Sequence, residues 1–567
     1  MVNKEIICIN IGQAGIQISN AIWELLCMEH SIDHGGQSSI RNYSNDISSC
    51  DCVFLEVSEN RFVPRCISID LEPTVIDEIR TGLYRELFNP SQLISGLEDS
   101  ASNYARGHFT IGKTYFEEFM NTLRHIISLC DSLQGFMVIQ SFGGGCGSGF
   151  TSLIMEQISI EYNKKSKMQF SIVPSSNLST AIVEPYNIVL SSKICIETTD
   201  LCLQHDNQSL CNVAYKTLEI SSPTFTNINR ILSQVFSSLT ISMRHENPLN
   251  NDLDQIATNL IPFPRLHYPI DIYSPLCNVK SGTHTLFSTS EITKDLFSFR
   301  NRLLDCDFLN EKFLSCCLQY RGNVYPSEVN KAILEIKRLD SITFVDWCPT
   351  GYKIGISKYP MVAPRNSCFY NCERSVLLLS NNTSFHQKIG KLSSTFDHLF
   401  TKRAFIHWYV GEGMEEGEFA EAREDFSILQ EDYKCVAEDE TTELNNDKEM
   451  VKNNISFENY SILSSDNKIY ENFEDENIHL NKLNKDQKLS STYDNCKLDD
   501  LGNYCIENSK NSDVIKKSPL KPEIKSVEFK TNDIIITEES NEERERNKRL
   551  FNFLKLEDNT QSDISTL

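Results

Sequence analysis

The chain has 567 residues and a formal net charge of −24 at pH 7, which allows several domains but excludes the basic surface of a nucleic-acid-binding protein. No signal segment opens it, and no apolar run approaches the roughly 20 residues of a membrane span, so we expect a cytosolic protein that makes no membrane contact. The 20 cysteines are then expected to be free thiols. The sequence contains no Cys-x-x-Cys pair, so a zinc site is not expected.

The first predicted element is a buried strand at 5–11, which is almost entirely apolar. The next four residues, 12–15, predict a tight turn, and apolar residues then recur at helical spacing over 18–26. This order forms a βα unit of a nucleotide-binding sheet, which binds its ligand at the C-terminal end of the strand. Gly12 and Gln13 would therefore face phosphates, although on spacing alone Gln13 is equally well a solvated loop residue.

A second βα junction follows a polar, irregular segment at 31–61, which is predicted to be a loop. A strand at 66–70 runs into a helix near Pro73, because proline suits the first turn of a helix. Glu72 lies at the junction, where a carboxylate can hold a metal ion or a metal-bound water beside a phosphate. An acid that only complements the helix dipole is an equally good interpretation of the spacing.

The most specific motif is Ser141-Phe142-Gly143-Gly144-Gly145-Cys146-Gly147-Ser148-Gly149. It follows an apolar strand at 135–140 and precedes a helical pattern at 150–156. In this layout the loop N–H groups and the helix N-terminus can receive a phosphate, and five glycines in seven positions leave no Cβ atoms to exclude it. A flexible surface loop is the alternative. The spacing fits neither the Walker loop nor the dinucleotide fingerprint.

A long helix is predicted over 223–245, and apolar residues cover most of its surface, so it is expected to be buried. Phe225 and Asn229 lie four residues apart on one face, where a ring and an amide could stack on and hydrogen-bond a guanine base. On spacing alone, a core aromatic residue and a helix-cap residue are the better interpretation of this pair.

The remaining chain has two different characters. From about 262 to 409 strands alternate with short helices, which indicates a second domain of α+β type. After about 435 the residues are rich in Asn, Glu, Asp, Lys and Ser without a sustained period. Such a composition cannot bury enough apolar surface to fold alone.

The glycine run resembles the signature Gly-Gly-Gly-Thr-Gly-Ser-Gly of the tubulin family, with Cys146 in the place of threonine. The resemblance extends from about Ile6 to about Lys434, and 402–425 is nearly the α-type sequence. It implies the tubulin fold: an α/β, Rossmann-like nucleotide-binding domain, an α+β second domain, C-terminal helices and a disordered tail. The expected domains are 1–245, with the core helix at 223–245, then 246–383, 384–435 and an acidic tail at 436–567.

The resemblance also implies GTP and Mg²⁺ as cofactors. The loop 96–108 is similar to the one that covers the γ-phosphate, with Ser102 where the family commonly has asparagine, and 179–187 is similar to the loop near the ribose. Asn207 matches the amide that reads the base, with Phe225 and Asn229 beside it. Carried over residue by residue, the nucleotide contacts are Gly12, Gln13, Glu72, Ser100, Ala101, Ser102, Ser141, Gly144, Gly145, Cys146, Gly147, Thr180, Glu184, Asn207, Phe225 and Asn229, and Glu72 is assigned to the metal.

Three residues, Asp252, Asp254 and Gln255, fall where the family places the helix that reaches the nucleotide of a neighbouring subunit. An α-type chain has a glutamate at the position of Gln255, which helps to activate the attacking water. A glutamine cannot accept a proton as a general base, although it can orient a water. Asp252 keeps the family's other acid, and Asp254 lies about 100° from Gln255 around a helix. Weakened or re-routed hydrolysis is expected.

The resemblance therefore predicts a divergent α-type tubulin that binds GTP, pairs with β-tubulin and builds microtubules, with associated proteins and motors as further partners. The diverged segment 278–284, at the position of the lateral contact loop, favours a non-polymerising tubulin-like binding protein instead. The layout of sheet and glycines is also that of a dinucleotide-dependent oxidoreductase, but the dinucleotide spacing is missing.

Overall fold

The first half of the chain forms a parallel sheet. The computed structural model describes residues 4–38, 47–175, 178, 181–245, 252–338, 342–348, 351–364 and 367–458. The strands of this half are β1 (Glu5–Ile11), β2 (Phe54–Ser58), β3 (Arg61–Pro64), β4 (Cys66–Asp70), β5 (Leu93–Ser95), β6 (Leu133–Ser141), β7 (Ser166–Val173) and β8 (Leu201–Asp206). Six of them form one sheet in the order β5-β4-β1-β6-β7-β8, with every neighbouring pair parallel.

The register of this sheet brings the C-terminal ends of its strands to one edge. Ile11 pairs with Ile69, Asp70 pairs with Ser95, and Ser141 pairs with Ile172. All residues of β1, β4, β7 and β8 are buried, as in parallel sheets covered on both faces.

Helices cover both faces of the sheet. They are α1 (Gly12–Glu29), α2 (Pro73–Thr81), α3 (Ile111–Ser128), α4 (Thr151–Glu161), α5 (Glu184–Thr198), α6 (Asn207–Lys216) and α7 (Phe225–Arg244). Side chains alternate along β1: Ile7 and Ile9 join the core under α3 and α4, whereas Ile6 and Cys8 join the core under α1 and α7. The predicted α/β, Rossmann-like domain is confirmed.

Within the described part of the segment 31–61, residues 54–61 are not the irregular loop that their polarity predicts. β2 and β3 form an antiparallel hairpin in which Phe54 pairs with Pro64. Asn60 takes a positive φ of 62° at the turn, a conformation that asparagine tolerates better than most residues. Phe54 and Phe62 are buried, so packing of the hairpin onto the core outweighs the polar composition.

The helix α7 is buried over nearly its whole length, as predicted. Near its end Arg244 forms an ion pair with Glu29 of α1 at 2.8 Å, and Arg321 also contacts Glu29 at 2.8 Å. Burial alone would raise the pKa of Glu29, but the two guanidinium groups hold it well below the usual range. This cluster joins the end of α1 to α7 and to the strand that carries Arg321.

A second, mixed sheet follows. Its elements are α8 (Leu253–Leu260), β9 (Ile270–Ser274), α9 (Val279–Gly282), α10 (Thr289–Asp295), β10 (Lys312–Gly322), α11 (Pro326–Ile336), β11 (Thr343–Phe344), β12 (Tyr352–Ser357) and β13 (Arg374–Asn382). The order is β11-β10-β13-β9, and β12 also pairs with β10. The pairs β10–β13 and β13–β9 are antiparallel. The predicted α+β second region is confirmed.

Three helices end the described chain: α12 (Phe385–Phe400), α13 (Ile406–Gly411) and α14 (Glu416–Glu458). The helix α14 continues past the predicted boundary at 435, and the added residues contain neither proline nor glycine. The rest of the predicted tail, 459–567, lies outside the described residues. Among the described residues, those from 4 to 442 belong to one compact unit, and the boundaries at 245 and 383 remain predictions.

No helix in the described part of the chain is both long and apolar enough to cross a membrane.

Candidate functional site

A cavity of about 330 Å³ opens at the sheet edge where the strands end. The strand ends Ile11, Asp70, Ser141 and Ile172 line it, together with the helix starts at Gly12 and Asn207. Ligands of open α/β sheets bind outside the C-terminal ends of the strands, so this cavity is the candidate site.

The glycine loop forms one wall, and it is shorter than predicted. The strand β6 ends at Ser141, and a wide turn of π-helix already begins at Cys146. A Cβ atom added to Gly144 would meet no protein atom within 4 Å, because this residue lines the cavity. A side chain there would occupy cavity space, whereas glycine leaves the backbone open to a ligand.

Gly145 packs the glycine loop closely against the loop that follows β5. A Cβ atom there would lie 2.6 Å from the backbone nitrogen of Asn103 and 2.7 Å from Oγ of Ser100. The absence of a side chain therefore lets the glycine loop touch the loop that follows β5.

The predicted turn at 12–15 is absent, because α1 begins at Gly12 directly after β1. Gly12 itself has a φ of +74°, and its hypothetical Cβ would lie 3.2 Å from the backbone nitrogen of Gly147. One left-handed glycine thus replaces a four-residue turn. Gln13 follows in the first turn of α1; it is exposed and lines the cavity.

The loop after β5 contributes Ser100 and Ser102 to the cavity lining, but not Ala101. Ala101 and Ser102 have φ values of 51° and 56°, a left-handed pair that costs residues with a Cβ about 1 kcal/mol each. Asparagine tolerates this region of φ better than serine does. Compared with asparagine, Ser102 therefore has both a more strained backbone and a shorter polar side chain.

Asn187 of α5 ties these loops together, and the sequence analysis did not identify it. It is fully buried, and its Nδ2 donates to the carbonyls of Ser102 at 2.7 Å and Gly143 at 2.8 Å. Its Oδ1 accepts from the backbone of Tyr104 at 3.2 Å and from the hydroxyl of Tyr409 at 2.8 Å. One amide therefore fixes both loops and also binds the C-terminal helix α13 through Tyr409.

One end of the cavity is acidic. Asp70, Glu72 and Asp99 line it, and Asp70 and Asp99 were not predicted. Glu72 lies at the N-cap of α2 and its carboxylate accepts from the hydroxyl of Thr74 at 2.8 Å. Burial raises the pKa of Asp70 to about 6, partly offset by hydrogen bonds from the Cys146 thiol and from backbone N–H groups.

The other end is amide-rich and aromatic. Asn207 at the start of α6 and the pair Phe225 and Asn229 on α7 all line the cavity. Glu184, at the start of α5, also lines it, and its carboxylate accepts from the backbone of Ala181 at 3.3 Å. Amides that both donate and accept, next to a ring, suit a purine edge and face. Thr180 lies outside the described residues.

The three residues predicted to be catalytic do not line this cavity. Asp252, at the N-cap of α8, forms an ion pair with Lys4 just before β1, and Asp254 accepts a hydrogen bond from Ser166 at the start of β7. Gln255 is exposed, with its Nε2 3.5 Å from Asp252. These partners place α8 at the amino edge of the sheet, opposite the glycine loop.

Among the described residues that line the cavity there is no lysine, arginine or histidine, whereas there are four carboxylates: Asp70, Glu72, Asp99 and Glu184. No group of three or more His, Cys, Asp or Glu side chains in the described ranges could hold a metal without other ligands. Magnesium typically uses one or two carboxylates together with phosphate oxygens and water, so the donor set fits a phosphate-linked magnesium rather than a protein cage.

Two family models match the chain. The model described as Tubulin/FtsZ family, GTPase domain, matches residues 5–215, and the model described as Tubulin C-terminal domain matches residues 264–394. Together they span more than half of the chain. The first covers the parallel sheet, the glycine loop and the acidic end of the cavity, and the second covers the mixed sheet. Phe225, Asn229 and α8 fall between the two matches.

Proposed function

The chain belongs to the tubulin family of GTP-binding proteins, and from this premise we propose that it is an α-type subunit. It binds GTP with magnesium, pairs with β-tubulin and enters microtubules in the cytoplasm. Hydrolysis of partner-bound GTP is weakened by Gln255.

The observation that carries the nucleotide assignment is the convergence of unrelated segments on one cavity. The predicted nucleotide contacts line it, except Ala101, which does not, and Thr180, which is not described. Backbone N–H groups around Gly144 face the phosphates, and Asn207, Asn229 and Phe225 receive the guanine.

The charge of the cavity supports magnesium. A triphosphate placed among four carboxylates, with no cationic side chain in the described part of the lining, would be strongly repelled. A divalent ion held by the protein carboxylates would supply the missing positive charge beside the phosphates. Asp70 and Glu72 are the residues that would hold it, with Asp99 beside them.

The amino edge of the sheet supports a partner that docks end to end. On α8, Asp254 and Gln255 are exposed. Three residues beyond α8, Phe263 is 47% exposed and packs edge-to-face against Trp347, which is 54% exposed, at a ring distance of 5.9 Å. Exposed aromatic pairs of this kind are typical of interface centres. We assign this surface to β-tubulin.

The weakened hydrolysis rests on the side chains that α8 offers. Gln255 is neutral, Asp252 is ion-paired to Lys4, and Asp254 is bound to Ser166. An acid that is already bound to a partner in its own chain is a poor general base.

A second surface supports binding of associated proteins and motors. Glu415, Glu416, Glu421 and Glu424 are exposed at the start of α14, whereas Phe419 of the same helix is buried. This acidic face could attract basic partners.

Two measurements test the proposal. The nucleotide extracted from the purified chain should be GTP, retained in a magnesium-dependent manner; absence of any guanine nucleotide would contradict it. The chain should then sediment with β-tubulin under polymerising conditions. Binding without sedimentation would favour the alternative, a non-polymerising binding protein, which the replacements at Cys146 and Ser102 and the diverged segment 278–284 support.

A further inference from the structure

Two cysteines of the mixed sheet lie in direct contact. The sulfur atoms of Cys277, just after β9, and Cys372, just before β13, are 3.4 Å apart, and both thiols are free. A disulfide needs the sulfurs about 2.05 Å apart, so side-chain rotations that bring them closer by roughly 1.4 Å would join them.

The backbone already aligns the two segments that carry these thiols. The amide of Tyr370 donates to the carbonyl of Cys277 at 3.1 Å, and the amide of Val279 donates to the carbonyl of Cys368 at 3.3 Å. Asn278 and Phe369 form an antiparallel bridge between these bonds. The thiols therefore meet because of fixed pairing, not by a chance approach of two loops.

A cavity gives small molecules access to one cysteine of the pair. Cys372 lines a space of about 340 Å³ together with Thr285, Leu286 and Tyr370, and Leu286 is 96% exposed. The thiols themselves are 8% and 4% exposed. The Cys372 thiol donates to the Cys277 sulfur and lowers the pKa of Cys277, which favours the reactive thiolate.

Another thiol pair provides the contrast. Cys195 and Cys202 are also close enough to shift each other's pKa, but they are 2% and 0% exposed and line no part of that cavity. These two cysteines lie close to each other, but that cavity gives small molecules no access to them.

We propose that Cys277 and Cys372 form a reversible redox site, closed to a disulfide by a small peroxide and reopened by a dithiol reductant. The deprotonated sulfur attacks a peroxide oxygen, which gives a sulfenic acid and releases hydroxide. The second sulfur attacks the sulfenic sulfur and expels its oxygen as hydroxide; the remaining thiol proton and a proton from solvent complete two waters. Two thiols are oxidised and one peroxide is reduced.

The consequence is mechanical. The bond would fasten the segment that begins α9 to the strand-proximal segment 368–374 across 95 residues of chain. The mobility of 277–288, which also lines the cavity, would fall.

The experiment uses the purified full-length chain and hydrogen peroxide as the probe. After brief exposure, free thiols are alkylated and the protein is digested without reductant. We expect a cross-linked peptide containing Cys277 and Cys372 to form at least about tenfold faster than any product at Cys195 or Cys202, and to disappear with dithiothreitol.

Matched variants guard against indirect effects. Cys277→Ser and Cys372→Ser should each abolish the cross-link, whereas Cys368→Ser, at an exposed neighbour, should leave its rate unchanged. Cross-linking between Cys368 and another cysteine instead, equal alkylation of both thiols before and after peroxide, or a cross-link that forms only in denaturant would overturn the proposal. Since all three outcomes can be read on the wild-type chain, a variant that misfolds does not remove the test.

Discussion

The side-chain amide of Asn187 donates to the carbonyl oxygen of Gly143 at 2.8 Å, although 44 residues separate the two. The same nitrogen also holds Ser102. The shape of the cavity wall formed by the glycine loop is therefore set by a side chain that does not line the cavity.

Replacing Asn187 with aspartate tests this role. Asn187→Asp keeps the acceptor oxygen but places a buried carboxylate against two carbonyls, so we expect a loss of about 3 kcal/mol or more in the free energy of unfolding and weaker nucleotide retention. Urea titration and nucleotide release measure the two effects. Asn382→Asp, at a buried asparagine that donates to Phe308 far from the cavity, should reduce stability alone. Equal nucleotide release from both variants would contradict the role.

Neighbouring glycines should respond differently to alanine. Gly144→Ala adds a methyl group that meets no protein atom but enters the cavity, so we expect near-native stability and roughly tenfold weaker nucleotide binding. Gly145→Ala collides with Asn103 and Ser100, and should cost about 1–3 kcal/mol of stability. Gly417→Ala on α14, also in open space but away from the cavity, is the control for the added methyl. Calorimetric titration with GTP and thermal melting separate these outcomes.

Asp70 should make stability depend on pH. Because burial raises its pKa to about 6 in the folded state, the folded chain holds this proton more tightly than the unfolded chain. The contribution to stability is complete below about pH 4 and is lost as the pH rises through 6, by about 2–3 kcal/mol at most. Urea titration of the nucleotide-free protein measures it. Asp70→Asn should lack this part of the pH dependence, and identical curves for the two proteins would refute the assignment.

The ion cluster at the end of α7 should be costly to break. Glu29→Gln leaves Arg244 and Arg321 buried without their counter-charge, and we expect a loss of about 3–5 kcal/mol in the free energy of unfolding. Glu161→Gln, which breaks a partly exposed pair with Arg124, should cost about 1 kcal/mol or less. A similar loss for both variants in urea titration would show that burial does not matter here.

Gln255→Glu should restore a general base in the proposed polymer. With β-tubulin as partner we expect phosphate release to rise about 10- to 100-fold, because general bases contribute effects of this size or larger. Gln255→Ala should not accelerate it. An unchanged rate for the glutamate variant, in polymers of equal mass, would show that hydrolysis does not depend on this position.

The sequence predicted those parts of the site whose chemistry is local. A glycine run between an apolar strand and a helix predicts a ligand-binding loop from its spacing alone, and Gly144 does line the cavity. Asp70 also has a local signal, because it is a carboxylate at the end of a buried strand, two residues before Glu72. The hairpin at 54–64 was also readable, from alternating apolar residues around Asn60, but its polar surroundings masked it.

Other features could not be read from local pattern. Asn187 sits in an ordinary helical stretch, and only the folded chain brings Tyr409 and Gly143 to its two ends. Likewise, Cys277 and Cys372 are unremarkable in sequence, because their contact depends on the pairing of segments 95 residues apart. Long-range pairing, not composition, decides such sites.

The bond between Asn187 and Tyr409 has a consequence for biosynthesis. During translation, the glycine loop and the loop that contains Ser102 leave the ribosome long before Tyr409, which lies 222 residues after Asn187. A nascent chain can form its sheet, but the hydrogen bond from Tyr409 to Asn187 forms only after α13 has been translated. If the cavity holds GTP as proposed, its walls therefore reach their final geometry late in the life of each new molecule.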